Sequence, residues 1–289
     1  MQPEKNNWKK LSLPFGTELH EALQLQHHAA QFIALAGRHL LPQVPDDSNT
    51  NMEFIPGKNL LAGNPLSNGT RLALDMNNLT LCLPDKNLDF TDILSLAGKT
   101  RLQIFREVKE HLSNAGIDTS LLKDELHYTI PQHAVDKGAT FILPDKIYFQ
   151  ENTAYRYNAA FILQKIASRY PDVPPVRIWP HHFDTGTFIP VKKNREGNVS
   201  VSFGIGLAIP DTIVNEPYFY LSFWSESSAP DMKTLPSPEA GEWITTGWSG
   251  GILRLSEILR QTSAGTQAGV ADSFFRSGLE ILSEIIISP

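Results

Sequence analysis

The stretches of this chain that read as β-strands follow one another too closely for helices to lie between them, and that spacing most constrains the fold. Apolar or alternating runs fall at residues 52–55, 70–76, 79–83 and 88–94, and again at 176–181, 187–191, 199–208, 218–224 and 243–246. A parallel pair needs a crossover of a dozen or more residues, whereas antiparallel neighbours need only a turn. The spacing therefore predicts antiparallel meanders and an α+β protein, with helices against one face of an antiparallel sheet or a pair of sheets. Asn77-Asn78, between two of the runs, suits a two-residue hairpin turn because asparagine tolerates positive φ.

Four main helices bracket these strands. The first runs over about residues 17–40, with Thr17 as N-cap, Glu18 in the first turn and Pro42 past the end. A second covers 99–114, where Leu102, Phe105, Val108 and Leu112 recur at helical spacing before Gly116. A third spans 153–170, preceded by an extended piece at 146–149, and a last covers 266–286. Helix, strands, helix thus occurs twice within one domain of 289 residues, over about 15–116 and 152–287. Asp89-Phe90-Thr91-Asp92-Ile93-Leu94 in the first half compares with Glu242-Trp243-Ile244-Thr245-Thr246-Gly247 in the second, which suggests a duplication.

Charge and composition exclude several classes. A formal net charge of −6 opposes broad electrostatic binding to nucleic acid or to an anionic membrane surface. No run of 18 apolar residues is present, so no transmembrane helix is expected. Residues 1–8 lack the apolar core of a signal peptide, which makes the expected location cytoplasmic. The single cysteine, Cys82, rules out an intramolecular disulfide and thiolate metal clusters, and its alternating surroundings mark it as a packing residue.

Chemistry concentrates in two places. His181-His182-Phe183-Asp184 follows an aromatic strand; with strand alternation, His182 and Asp184 share a face while His181 points away. A carboxylate beside an imidazole fixes its tautomer and raises its basicity, as a general base or a metal ligand requires. The plainer alternative is a hydrogen-bonded pair at a strand end. On the first helix His20, Gln24, His27 and His28 fall on roughly one face. His20-Glu21 opens like the zinc-protease pattern, but Gln24 stands where its second histidine belongs, and His27 and His28 read as solvated or capping.

Other motifs carry less. Gly247-Trp248-Ser249-Gly250-Gly251 matches the nucleophile elbow, yet no histidine follows it, so a glycine-rich turn explains it. Gly204-Ile205-Gly206 lacks the third glycine of a dinucleotide loop and reads as structural. The run from Tyr218 to Trp224 could stack a flat ligand on one face or be packed on both.

Leu19-His20 with Gln24 resembles the Thr-Leu-His-x-x-x-Gln opening of a bacterial family of uncharacterised domains. Residues 176–184 are similar to its central aromatic strand ending in Phe-Asp, and 218–226 to its later Phe-Tyr-x-Tyr-x-x-Pro-Glu segment. The chain departs at Glu18, where the family has threonine, at His27-His28, where it has Gly-Lys, and in lacking a His-Trp-Trp run. The resemblance implies a shared architecture and a pocket carrying His20, Gln24, Phe183 and Asp184, but no reaction.

The expectation is a soluble protein with a small-molecule pocket formed by His20, Gln24, His182 and Asp184 and walled by Trp179, Tyr220 and Trp224. As an enzyme it would use His182 as base or ligand, Asp184 to orient it and His20 as second ligand or oxyanion partner. That donor set admits a divalent metal and a hydrolase. The alternative is a non-catalytic ligand-binding or protein-interaction protein, and the two halves leave room for a homodimer.

Overall fold

In the computed structural model, which describes residues 7–84, 90–227 and 230–287, the chain is α+β, with five α-helices and two antiparallel sheets of five and six strands. It divides into two compact units, the first comprising residues 16–153 and 177–183, the second 1–15, 154–176 and 184–289. The halves expected at 15–116 and 152–287 draw a different line. The strand expected from residue 88 begins in the described chain at Phe90, and Asp89 of the suggested duplication lies outside the described residues.

The first unit holds α1 (Thr17–Leu40), the meander β1 (Glu53–Ile55), β2 (Leu60–Ala62), β3 (Ala73–Asp75), β4 (Thr80–Pro84) and β5 (Phe90–Ser95), then α2 (Arg101–Asn114) and β6 (Arg177–Trp179). α1 keeps its expected length, but Gly16 and not Thr17 is its N-cap, and it is buried continuously from Ala22 to Gly37. Gly37 is there because the chain crosses at that point: a Cβ would stand 2.3 Å from the Asn49 carbonyl oxygen. α2 starts on a reciprocal cap in which Gln103 N–H donates to Thr100 Oγ1 and Thr100 N–H donates to Gln103 Oε1. At the β3–β4 turn Asp75 Oδ1 accepts from the Asn77 and Asn78 amides, and the left-handed residue is Leu79 (φ 48°) instead of either asparagine.

α3 (Lys146–Ala167) begins in the first unit and continues into the second. Residues 146–149, expected to be extended, are helical because Asp145 Oδ1 accepts the Ile147 amide at the helix start. The second unit contains β7 (Asp184–Lys193), β8 (Val199–Ala208), β9 (Tyr218–Ser225), β10 (Glu242–Ile244), β11 (Gly250–Arg254), the short α4 (Leu255–Leu259) and α5 (Ala264–Ile287). Its strands run in the order β10-β11-β9-β8-β7. β11 was read as a turn because Gly250-Gly251 looks like one. α5 covers the inner face, where Phe275 meets Phe219 edge-on at 5.6 Å. Two buried amides hold the N-terminal strap: Gln267 bonds both N–H and C=O of Leu11, and Asn158 does the same for Lys9.

Candidate functional site

In the first unit, α1 turns its histidines inward. His27 and His28 are fully buried, contrary to the solvated reading, and each Nε2 meets a backbone carbonyl, so each must donate. His27 Nε2 and Gln31 Nε2 both donate to Pro180 O, at 2.8 and 3.0 Å, and Tyr128 OH donates to Gln31 Oε1 at 2.7 Å. The Pro180 carbonyl belongs to a turn that follows β6. There the Phe183 amide donates to Trp179 O at 2.7 Å, and Phe183 takes a left-handed backbone (φ 51°) that a bulky residue seldom adopts. The buried Phe183 ring stacks flat on His27, centroids 4.8 Å apart and planes 5° apart.

His181 and His182 therefore sit in a turn, and the alternation expected of a strand does not decide which of them faces inward. Their ring centroids are 4.5 Å apart; His182 is exposed and His181 half-buried, with Trp179 edge-on to His181 at 6.3 Å and Tyr128 at 5.8 Å. His20 is exposed, whereas Gln24 is buried with its Oε1 lacking a hydrogen-bond partner.

A second histidine cluster escaped the sequence reading because its members are far apart in the chain. His28 Nε2 donates to Pro131 O at 3.1 Å, and its Nδ1 stands 3.3 Å from Asp136 Oδ1 without hydrogen-bond geometry. His133 accepts the Val135 amide at Nδ1 and donates from Nε2 to Glu21 at 3.0 Å. Burial holds the His28 pKa below its usual value, with His133 and Arg101 adding to the effect against the attraction of Asp136. The unfolded chain takes up this proton near pH 6.5, the folded chain only below it. Stability from neutral His28 is thus intact above about pH 6.5 and falls on acidification, by at most about 1.4 kcal/mol per pH unit for one proton. Melting temperatures measured from pH 7.5 to 5 are expected to drop more steeply for the wild type than for His28→Gln, which keeps the donor to Pro131 but cannot titrate; parallel curves would remove His28 as the cause.

In the second unit the structure brings together Asp184 and Tyr220. The Tyr220 hydroxyl donates to Asp184 Oδ2 at 2.8 Å, and burial, with Asp184 beside it, keeps the phenol neutral by raising its pKa well above the usual value. Arg156, on α3 and 2 % exposed, donates to Thr185 Oγ1 at 2.7 Å; burial pulls its pKa down to about 10, while Asp184 opposes that fall. Nothing in the sequence marked Arg156, since an arginine inside an aromatic helix reads as surface.

The β7–β9 register places one face in rows, open around Phe188 and Trp224 and buried at Gly186, Ser202 and Gly206. Phe188, Gly204 and Ser222 are direct neighbours, then Pro190, Ser202 and Trp224, then Gly186, Gly206 and Tyr220. Paired residues and those two apart share a face, so all nine lie together. The glycines dismissed as structural make its floor: a Cβ on Gly206 would meet the Tyr220 ring at 2.3 Å, and one on Gly204 the Ser222 hydroxyl at 2.4 Å. Phe188 is 40 % and Trp224 50 % exposed, and Trp248 lies over Gly250 at the end of the middle row. None of the nine is charged.

Comparison with protein-family models, with curated proteins and with solved structures found no match for this chain. Among the described residues no helix is long and apolar enough to cross a membrane, and no three or more His, Cys, Asp or Glu side chains are grouped to hold a metal ion. The apolar hollow lined by Leu11, Tyr155, Leu207, Tyr218, Leu253 and Ile258 encloses about 10 Å³. That is room for one water, against roughly 300 Å³ or more for a small-molecule pocket. The Cys82 thiol is buried and pushed up to about 12, which leaves it unreactive near neutrality.

Proposed function

We propose that this chain is a non-catalytic binding protein that takes an uncharged, ring-bearing ligand of the sugar type on the open face of β7–β9. The observation that carries this reading is the pair of exposed aromatics, Phe188 and Trp224, flanking a floor of glycines and serine hydroxyls. They stand two strand spacings apart and about two residues out of line, roughly 12 Å. A sugar presents an apolar C–H face to an aromatic ring and hydroxyls at its rim, which match Trp224 and Phe188 on one hand and the half-buried Ser222 on the other. The nine residues carry no cation, which disfavours a nucleic acid or an anionic lipid, whose binding rests on cations. The hydrolase reading, which rests on His182, Asp184 and His20, loses support because His182 lies in the 180–183 turn and Asp184 accepts from Tyr220.

Calorimetric titration with neutral oligosaccharides of glucose and N-acetylglucosamine, in both anomeric linkages, tests this. Binding without product formation is expected, and Trp224→Ala should weaken it by about 1–3 kcal/mol, roughly 5- to 150-fold. Gly204→Val, which fills the floor, should weaken it as well. If no sugar binds and Trp224→Ala instead shifts a dimer towards monomer in light scattering, the face is a contact between copies and the reading fails.

A further inference from the structure

Residues 8–11, in the second unit, are held in the way a bound peptide is held. Gln267, fully buried on α5, accepts the Leu11 N–H at 2.9 Å and donates to the Leu11 carbonyl at 2.9 Å. Asn158, fully buried on α3, does the same for Lys9 at 2.7 and 2.8 Å. Lys9 and Leu11 are two residues apart, the spacing at which an extended chain offers one edge of its backbone. In strand-type peptide recognition such main-chain bonds give affinity, and pockets for side chains give specificity. Here the anchors are Trp8 and Leu11, 4 % and 3 % exposed. Trp8 Nε1–H donates to Gln267 Oε1 at 3.3 Å and its ring meets Phe219 at 6.3 Å, while Leu11 lines the apolar hollow with Tyr155, Tyr218 and Ile258. Lys9 and Lys10, between the anchors, are exposed, with the Lys9 ammonium 4.8 Å from the Tyr157 ring centre.

These bonds span 149 to 259 positions of sequence, so none of them depends on the strap belonging to the chain that binds it. After residue 15 the chain leaves the second unit and enters α1 of the first, whose N-cap is Gly16. We infer that residues 8–11 are an exchangeable arm, and that the groove between α3 and α5 takes the same segment from a second copy of this chain. Charge favours that occupant. Residues 1–15 carry three lysines and one glutamate in a chain of net charge −6, so the arm of one copy is attracted to the body of another. The contacts are the same in cis and in trans, as in domain swapping. Effective concentration sets the balance and favours the single closed chain until its own arm is weakened or the protein is concentrated. The inference does not rest on sugar binding at β7–β9.

The test mixes two full-length chains in sedimentation velocity. The acceptor, Trp8→Ala with Leu11→Ala, keeps the groove and loses the anchors of its arm; Leu11→Ala alone serves if the double variant unfolds. The donor, Gln267→Leu, keeps the arm and loses the groove's bonds to Leu11. The mixture should form a one-to-one complex that neither chain forms alone, and adding Asn158→Leu to the acceptor should abolish it, with circular dichroism showing each chain folded. A fluorescent peptide of residues 6–14 gives a second reading that needs no folded donor. It should bind the acceptor about tenfold or more tighter than the wild type, whose own arm fills the groove. A Lys9→Pro peptide, which lacks the amide that donates to Asn158, should bind about tenfold or more weaker than the unmodified one. Folded chains that stay separate in the mixture, or a peptide bound alike with and without that amide, would overturn the proposal. So would a complex that Trp224→Ala in the acceptor abolishes and Asn158→Leu does not, because it would belong to the β7–β9 face.

Discussion

Arg156→Met is expected to lower unfolding stability by about 3 kcal/mol, the low end of the cost of removing one partner from a buried charge pair. The guanidinium is buried, donates to Thr185 Oγ1 and faces Asp184. Methionine fills much of the volume but leaves the Asp184 carboxylate and the Thr185 hydroxyl without their cationic neighbour. Asp184 is only partly buried and keeps the Tyr220 hydroxyl bond, which is why the upper end of the range is not reached. Urea unfolding should show a lower midpoint with an unchanged slope. Arg156→Met combined with Asp184→Asn should recover part of the loss, since the two positions are coupled and not additive. A single-variant loss under 1 kcal/mol would mean that the arginine's desolvation cancels its interactions.

Phe183→Ala should cost about 3–5 kcal/mol, as expected for a fully buried aromatic side chain. The ring is stacked on His27, so truncation opens a cavity beside an imidazole that is committed to Pro180 O. Phe183→Asn separates the two contributions at this residue. Asparagine accepts the left-handed backbone readily, so it relieves strain while losing the same packing. It should therefore be no more than about 1 kcal/mol better than alanine in denaturant unfolding. An asparagine variant as stable as wild type would show that backbone strain, and not the stack, dominates at this position.

The α+β class was legible because strand spacing is a local property: runs as close as 70–76 and 79–83 leave room for a turn and nothing else. Helix α1 was legible from its periodicity and flanking residues. Two short strands were not: β2 has only three residues between turns, and in β11 Gly250-Gly251 actively suggests a turn. Asp184, Tyr220 and Trp224 were picked from sequence, and the first two are hydrogen-bonded. The grouping of His182 with Asp184 on one strand face rested on alternation, and a turn at 180–183 takes His182 out of the strand.

The sequence by itself determined the class of fold, the long helices and the spans of the strands that became β7, β8 and β9, because these depend on periods of two and 3.6 residues. Only the tertiary structure decided that α1 is buried along its middle, that its histidines bond carbonyls more than a hundred residues away, and that an arginine lies inside α3's packing. Burial and pairing across such separations depend on which elements come together, and no local periodicity encodes that.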